Sequence, residues 1–252
     1  MFIVGLDEQF GAAPDAAISL SNDTAHHIRD VLRLKPGDAV EPTDPGSGTV
    51  YGGVIEGIHA GVTVRIDPPR ETPAVQLPII LVCALCKGPK NDLICDWATE
   101  LGATQLVFWQ AKRSVVRLDD ADASVRQKRL LKIALAAAQQ SRQPRPPAVS
   151  VHTSLARALQ IVEAPEGNHP AKLLCSLSAD SRPIHEVLAT LSNYSAVQVI
   201  IGPEGDLSPE EEEVLTEHGF VHASLGSSTL RSELAVVAAL LAIKLSSAVT
   251  LV

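Results

Sequence analysis

The sequence is poor in aromatic residues, which make up only 3% of its 252 residues. A hydrophobic share of 46% is still enough for one large core or two unequal ones. Such cores must be filled by Leu, Val, Ile and Ala, which favours parallel strands flanked by Ala-rich helices. The composition therefore predicts an α/β protein, and the length makes two domains a reasonable expectation.

Long apolar segments and cysteines are also scarce. No apolar run approaches the roughly 20 residues of a membrane span, and the start, MFIVGLDEQF, lacks the basic and apolar regions of a signal peptide. The four cysteines are too few for a secreted disulfide framework. Cys83 and Cys86 have CxxC spacing without a second pair, so we expect reduced thiols, no metal site and a cytoplasmic protein without a membrane segment.

Several motifs of common enzyme classes are missing. The sequence contains no GxxxxGK[ST], no GxSxG and no GxGxxG. Their absence argues against NTP hydrolysis, serine hydrolysis and dinucleotide binding as leading functions.

The net charge of −8 conceals an uneven distribution. Residues 86–145 carry 11 basic and 6 acidic side chains, whereas the segments before and after them are both acidic. This basic strip is a candidate surface for RNA phosphates. It is equally compatible with a solvated helix face.

The hydrophobic pattern divides the chain near a Pro-rich segment at 67–75. Before it, a helical start at His26 and strand-like pieces at 50–55 and 62–66 predict a small β-barrel over residues 1–70. After it, strands and helices alternate over residues 74–252, which predicts a parallel sheet covered on both faces. We expect strands near 77–85, 105–110, 172–177, 197–202 and 220–226, and helices near 91–101, 123–140, 184–191, 209–217 and 230–246.

The strongest local signal is the segment IGPEGDLSPEEEE, in which a buried strand runs into a Gly-rich turn and then a helix. Ser208 as N-cap, Pro209 at the first helical position and Glu211 form a capping-box signature. Ligands of open α/β sheets bind at the carboxyl ends of strands, so the turn is a candidate cofactor site. By itself it could equally be a plain strand-to-helix turn.

The last helix is almost entirely apolar before Lys244, and we therefore expect it to be buried. Its exceptions, Arg231 and Glu233, fall in its predicted first turn. An Arg there opposes the helix dipole, which suggests an anionic ligand or a compensating partner. A structural Arg231–Glu233 pair is the alternative.

Ordered motifs over nearly the whole chain resemble the RsmE-type 16S rRNA uracil-N3 methyltransferases of the SPOUT class. The matching segments are HHIRDVLRLKPGD, KGPKNDLICDWATELGATQLVFWQAKRSVVR, AAAQQSR, IGPEG and LGSSTLRSELA. The resemblance implies a PUA-like β-barrel followed by a SPOUT domain with a C-terminal trefoil knot. It also implies a homodimer that uses S-adenosylmethionine (SAM) to methylate N3 of a uridine in 16S rRNA.

The same resemblance implies roles for individual residues. Arg231, Glu233 and Glu204 would be catalytic, with Arg231 stabilising the uracil anion and a glutamate orienting Arg231 or accepting the N3 proton. The cofactor would contact Leu177, Ser178, Ile201, Gly202, Pro203, Glu204, Gly205, Leu225, Gly226, Ser227 and Leu230. RNA would contact Arg29, Arg33, Lys87, Lys90, Lys112, Arg113 and Arg142.

The chain departs from the family pattern at Trp97, Asp206, Ser227, Ser228 and Leu234. Ser228 replaces an arginine suited to phosphate, and Asp206 adds a negative charge beside the predicted pocket. Two other functions therefore stay open: a catalytically silent paralogue that binds RNA, and a methyltransferase acting on another rRNA or tRNA position.

Overall fold

The computed structural model describes residues 2–3, 17–20, 22–44, 49–59, 61–69, 77–143, 145–162, 168–178, 180–191 and 194–249. The chain forms two compact units. One groups Met1–Val75 with Ala138–Pro146, and the other groups Gln76–Ala137 with Pro147–Val252. The domain boundaries expected from the sequence, 1–70 and 74–252, stay a prediction.

The sequence predicts a small β-barrel for the first unit, and the structure shows a largely antiparallel β structure. Its strands are β1 (Phe2–Ile3), β2 (Ala17–Ser19), β3 (Ala39–Val40), β4 (Pro42–Thr43), β5 (Tyr51–Ile58) and β6 (Val62–Pro69). Four of them pair in the antiparallel order β2-β6-β5-β3, and β1 pairs with β4 in parallel. Val62, Val64 and Ile66 alternate along β6 and are fully buried, so this sheet face forms a core with Ile28 and Ile55.

The helix of this unit begins earlier than the sequence suggests. Helix α1 covers Asn22–His26 and continues as one π-helical turn at His27–Val31. The expected helix start at His26 is therefore four residues late. Ala25 and Ile28, which are both buried, show that the earlier turn also packs against the β core.

The second unit alternates strands and helices. Its strands are β7 (Ile79–Ala84), β8 (Gln105–Trp109), β9 (Ala148–His152), β10 (Ala171–Cys175), β11 (Arg182–Pro183), β12 (Val197–Ile201) and β13 (Val221–Ser224). Its helices are α2 (Lys90–Glu100), α3 (Asp120–Gln140), α4 (Leu155–Val162), α5 (Ile184–Thr190), α6 (Pro209–Glu217) and α7 (Ser232–Val249). The sequence reasoning located most of these elements but missed β9, α4 and β11.

All seven strands run parallel in the order β11-β13-β10-β12-β7-β8-β9. One face is covered by side chains from α2, α3, α5 and α7, and the other by side chains from α4 and α6. β12, whose five residues are all buried, lies near the middle of the sheet. The prediction of a parallel sheet covered on both faces is confirmed.

Helix α7 is not buried all round, so that expectation is wrong. Its inner side buries Val236, Leu240 and Ile243, whereas the side chains of Leu234, Leu241 and Leu245 are 51%, 43% and 69% exposed. An apolar sequence thus has two apolar sides, of which only one packs on the sheet. In the described part of the chain, no helix is both long and apolar enough to cross a membrane.

Candidate functional site

Three turns lie side by side at one edge of the parallel sheet. They follow β10, β12 and β13, which are neighbours in the order β13-β10-β12. Because parallel strands end at the same edge, the residues after Cys175, Ile201 and Ser224 are brought together there. The chain distance between these turns gives no hint of this proximity.

A cavity of about 490 Å³ opens between these turns. Eight of the eleven residues predicted to bind a cofactor line it: Leu177, Ser178, Ile201, Gly202, Pro203, Leu225, Gly226 and Leu230. Glu204, Gly205 and Ser227 are not among the lining residues, although each is adjacent to one that is. Their role in cofactor binding stays a prediction.

The turn after β12 is held by the capping box that the sequence indicates. The Ser208 Oγ accepts a hydrogen bond from the Glu211 N–H at 3.3 Å, and Glu211 Oε2 accepts one from the Ser208 N–H at 3.0 Å. The other carboxylate oxygen of Glu211 accepts the backbone N–H of Lys112 at 3.0 Å. One buried carboxylate therefore ties the turn after β12 to the loop after β8.

Gly205 brings the same two segments into close contact. A Cβ atom built on Gly205 would lie 3.2 Å from the carbonyl oxygen of Arg113. Any side chain at this position would push the loop away. The arrangement explains how Arg113, far from the turn in sequence, comes to line the cavity.

The start of α7 forms the third wall. Arg231 precedes the helix as its capping residue, since its carbonyl accepts the N–H groups of Leu234 and Ala235. The sequence analysis expected Arg231 inside the first turn of the helix, but it lies one residue before the helix begins. Ser232, which follows, donates its hydroxyl to the Gly202 carbonyl at 3.2 Å and so joins α7 to the turn after β12.

The acidic side chains expected to be catalytic meet at Lys90. Lys90 Nζ donates to Glu204 Oε1 at 2.9 Å and lies 3.6 Å from Glu233 Oε2. Glu233 does not form the alternative pair with Arg231, because it faces Lys90 instead. Within the described part of the chain, the exposed Arg231 guanidinium has neither a hydrogen-bond nor an ion-pair partner.

These contacts change proton affinities. Burial alone would raise the pKa of Glu204, but hydrogen bonds from Lys90 and from backbone N–H groups outweigh it and lower that pKa below its usual value. The hydrogen bond to Glu204 is the largest cause that raises the pKa of Lys90. Glu204 is consequently a carboxylate held in its charged form.

Comparisons with known proteins connect this site to a family. A family model of an RNA methyltransferase domain matches residues 73–244, and a model of an RNA methyltransferase PUA domain matches residues 20–66. Ribosomal RNA small subunit methyltransferase E of Bacillus subtilis is 30% identical over 253 residues, which cover 96% of this chain and 94% of the relative. The chain belongs to this RNA methyltransferase family.

Other relatives agree with that assignment. The methyltransferase is 30% identical over 226 residues to ribosomal RNA small subunit methyltransferase E of Mycobacterium bovis, covering 89% of this chain and 85% of the relative. A putative methyltransferase of Legionella pneumophila, solved with bound SAM, superposes with a TM-score of 0.81 at 26% identity and covers 98% and 96% of the two chains. The family resemblance inferred from the sequence motifs is confirmed.

The predicted RNA-contacting residues occupy varied environments in the methyltransferase. In the second unit Lys87 is exposed, Lys112 pairs with Glu210 at 3.4 Å, and Lys90 is held by the two glutamates. In the first unit Arg29 pairs with Asp30, and Arg33 and Arg142 are exposed. Their contact with RNA stays a prediction.

Several lining residues of the cavity were not assigned to a cofactor from the sequence. They include Arg113, Asp206, Glu212 and Ser176. Ser176 Oγ lies 2.8 Å from His222 Nδ1, which anchors the turn after β10 to the neighbouring strand β13. The sequence signal that could have identified two of them is position, since Asp206 and Ser176 each follow a buried strand closely.

Proposed function

We propose that this methyltransferase uses SAM to methylate N3 of a uridine in 16S ribosomal RNA. The observation that carries the proposal is the cavity formed by the turns after β10, β12 and β13, in a chain of the small subunit methyltransferase E family. We also propose a cytoplasmic location, because the proposed substrate is ribosomal RNA. We infer the trefoil knot from the same family relationship.

The cavity has properties suited to SAM. Its volume lies within the range usual for small-molecule sites. Leu177, Leu225 and Leu230 supply apolar surface of the kind an adenine ring packs against, and Gly202 and Gly226 expose backbone to polar ligand atoms. When bound there, SAM supplies a methyl group activated by its sulfonium.

The protein's own contribution is to make uracil N3 nucleophilic. N3 carries a proton and reacts poorly until that proton leaves, so a cationic group must stabilise the resulting anion. Arg231 suits this role, because its side chain is exposed beside the cavity residue Leu230 and is engaged by no other described group. Its position at a helix start also favours an anion.

Of the two glutamates, Glu233 is the better candidate to accept the N3 proton. The lowered pKa of Glu204 makes that carboxylate a weak base at neutral pH. Glu233 Oε2 is buried and, in the described part of the chain, contacts Lys90 at 3.6 Å without forming a hydrogen bond. Glu204 would then hold Lys90 in place.

We also infer a homodimer that uses α7. Leu234, Leu241 and Leu245 recur at helical spacing on its exposed side, and Ala238 lies between the first two of them. Exposed apolar stripes of this kind mark interaction surfaces. Each copy would cover the stripe of the other.

The decisive experiment maps N3-methyluridine in 16S rRNA by mass spectrometry from cells with and without the gene. We expect one modified nucleotide to disappear in the deletion and to return with the wild-type gene. Unchanged rRNA modification with a lost tRNA or 23S rRNA modification would redirect the substrate assignment. No change in any RNA would contradict the proposed activity.

A further inference from the structure

Two charged side chains that the mechanism above does not use, Arg113 and Asp206, line the same cavity. They belong to adjoining parts of its wall, because Gly205 lies against the Arg113 backbone. Neither side chain has a hydrogen-bond or ion-pair partner within the described part of the chain. A carboxylate and a guanidinium therefore border the ligand space without neutralising each other.

The Asp206 backbone is held in one conformation. Its φ of 57° lies in the left-handed region, which Asp and Asn tolerate better than other side chains do. Its N–H donates to the Pro203 carbonyl at 3.1 Å, and the capping box begins two residues later. The carboxylate accordingly projects from a fixed turn and not from a free loop.

The charges of the wall favour a cation. Asp206 and Glu212 both line the cavity, and Arg113 is the one basic lining residue described. A sulfonium cofactor with a zwitterionic amino-acid end carries a net charge of about +1, whereas the thioether left after methyl transfer carries none. An unpaired carboxylate attracts the first more strongly than the second.

We propose that Asp206 is a specificity-determining residue that makes the pocket prefer the sulfonium methyl donor over its thioether product. Arg113 contacts the carboxylate end that both ligands share. This inference rests on the proposed function, because it takes the cofactor to be SAM. It gives the enzyme a means of limiting product inhibition that depends on one side chain.

The test is isothermal titration of the protein without RNA, using SAM and S-adenosylhomocysteine. Asp206→Asn keeps the side-chain size and the left-handed tolerance and removes only the charge. The measured quantity is the dissociation constant of S-adenosylhomocysteine divided by that of SAM. We expect this ratio to fall about threefold to tenfold in Asp206→Asn, because SAM binds more weakly while binding of the product is unchanged. The difference in this ratio between Asp206→Asn and wild type should shrink as salt is added, because Asp206 is exposed.

Glu210→Gln is the matched control. Glu210 is a neighbouring acid that pairs with Lys112 and is not a lining residue, so the ratio should stay at the wild-type value. Asp206→Gly, which relieves the backbone, should reproduce the lower ratio and thereby exclude a folding defect. Arg113→Gln should weaken both ligands equally and leave 5′-methylthioadenosine, which lacks the amino-acid end, unaffected.

A wild-type ratio in both Asp206 variants would overturn this inference and leave the proposed function intact. Equal weakening of both ligands by Asp206→Asn would also overturn it. If the wild-type protein binds neither ligand, the proposed cofactor and this inference fail together.

Discussion

Lys90 is the residue through which the site's acidic groups are connected. The sequence places it in a basic strip facing RNA, yet its ammonium hydrogen-bonds Glu204 and approaches Glu233. The ammonium lowers the pKa of Glu204 and restricts the motion of both carboxylates. At this scale, charge counts along the chain say little about which cations stay available to a ligand.

The Lys90–Glu204 pair should give stability a defined pH dependence. Because the folded pKa of Glu204 is lowered, its contribution is present above the ordinary carboxylate pKa of 4.5 and is lost as pH falls through the folded value. Lys90→Met should therefore reduce the free energy of unfolding at pH 7 by about 0.5–1 kcal/mol.

Urea unfolding at pH 7 and at pH 3 measures this effect. The difference between Lys90→Met and wild type should shrink at the lower pH. The control is Lys87→Met, which replaces an exposed lysine three residues away. It should change the free energy of unfolding at neither pH. If the free energy of unfolding of Lys90→Met differs from wild type by the same amount at both pH values, the loss comes from packing and not from the ion pair.

Arg231 carries a separate prediction. Arg231→Ala should lower the methylation rate about 100-fold or more, since it removes the cation that stabilises the uracil anion. SAM affinity should stay within about threefold, because Arg231 does not line the cavity. Single-turnover assays and titration separate these effects.

Arg231→Lys should recover part of the rate by restoring the charge. If it behaves like Arg231→Ala in rate while both retain SAM binding, guanidinium geometry matters more than charge. Wild-type rates in Arg231→Ala would remove Arg231 from the mechanism.

At the scale of the element, the turn after β12 depends on the loop after β8. Glu211 is buried and accepts backbone N–H groups from both Ser208 and Lys112. The contact at Gly205 holds the same two segments together. A shift in one turn therefore displaces the side of the cavity that carries Arg113.

Glu211→Ala should reduce the free energy of unfolding by about 2–3 kcal/mol, because it leaves two donors without their acceptor. Glu213→Ala is the control. It removes an exposed glutamate from the same helix, and we expect a change within about 0.5 kcal/mol. Chemical denaturation compares the two, and equal losses would show that the capping-box hydrogen bonds are not the cause.

Gly205→Ala should weaken SAM binding with a smaller effect on stability. Its methyl group would lie too close to the Arg113 carbonyl, and the exposed loop after β8 should yield before the turn, which the capping box holds. Gly61→Ala, whose added methyl group meets nothing within 4 Å, should leave affinity unchanged. An unaltered affinity in both variants would show that the loop accommodates the methyl group without moving the cavity wall.

At the scale of the whole molecule, the exposed stripe on α7 should determine assembly. Leu241→Glu places a charge in its middle, and we expect a protein of dimer mass to become one of monomer mass in light scattering. Val125→Glu introduces the same change at a valine that is 70% exposed on α3 and should leave the mass unaltered. A monomeric wild type would contradict the inferred dimer.

Much of the second unit was predictable because its signals are local. Ser208, Pro209 and Glu211 placed the start of α6 correctly, since capping bonds join residues three apart. Continuous apolar runs located β7, β8 and β12. Helix α4 was missed although Leu155, Ala158, Leu159 and Val162 have the helical period and are all buried.

The sequence by itself determined most elements of the second unit, the α/β class and the family, because those depend on neighbouring residues and on ordered motifs. Only the tertiary structure decided that β10 lies between β12 and β13, which brings three distant turns to one cavity. It likewise joined Lys90 to Glu204 and placed Arg113 beside the turn of Asp206. Such pairings depend on strand order and close packing, which no local pattern of residues encodes.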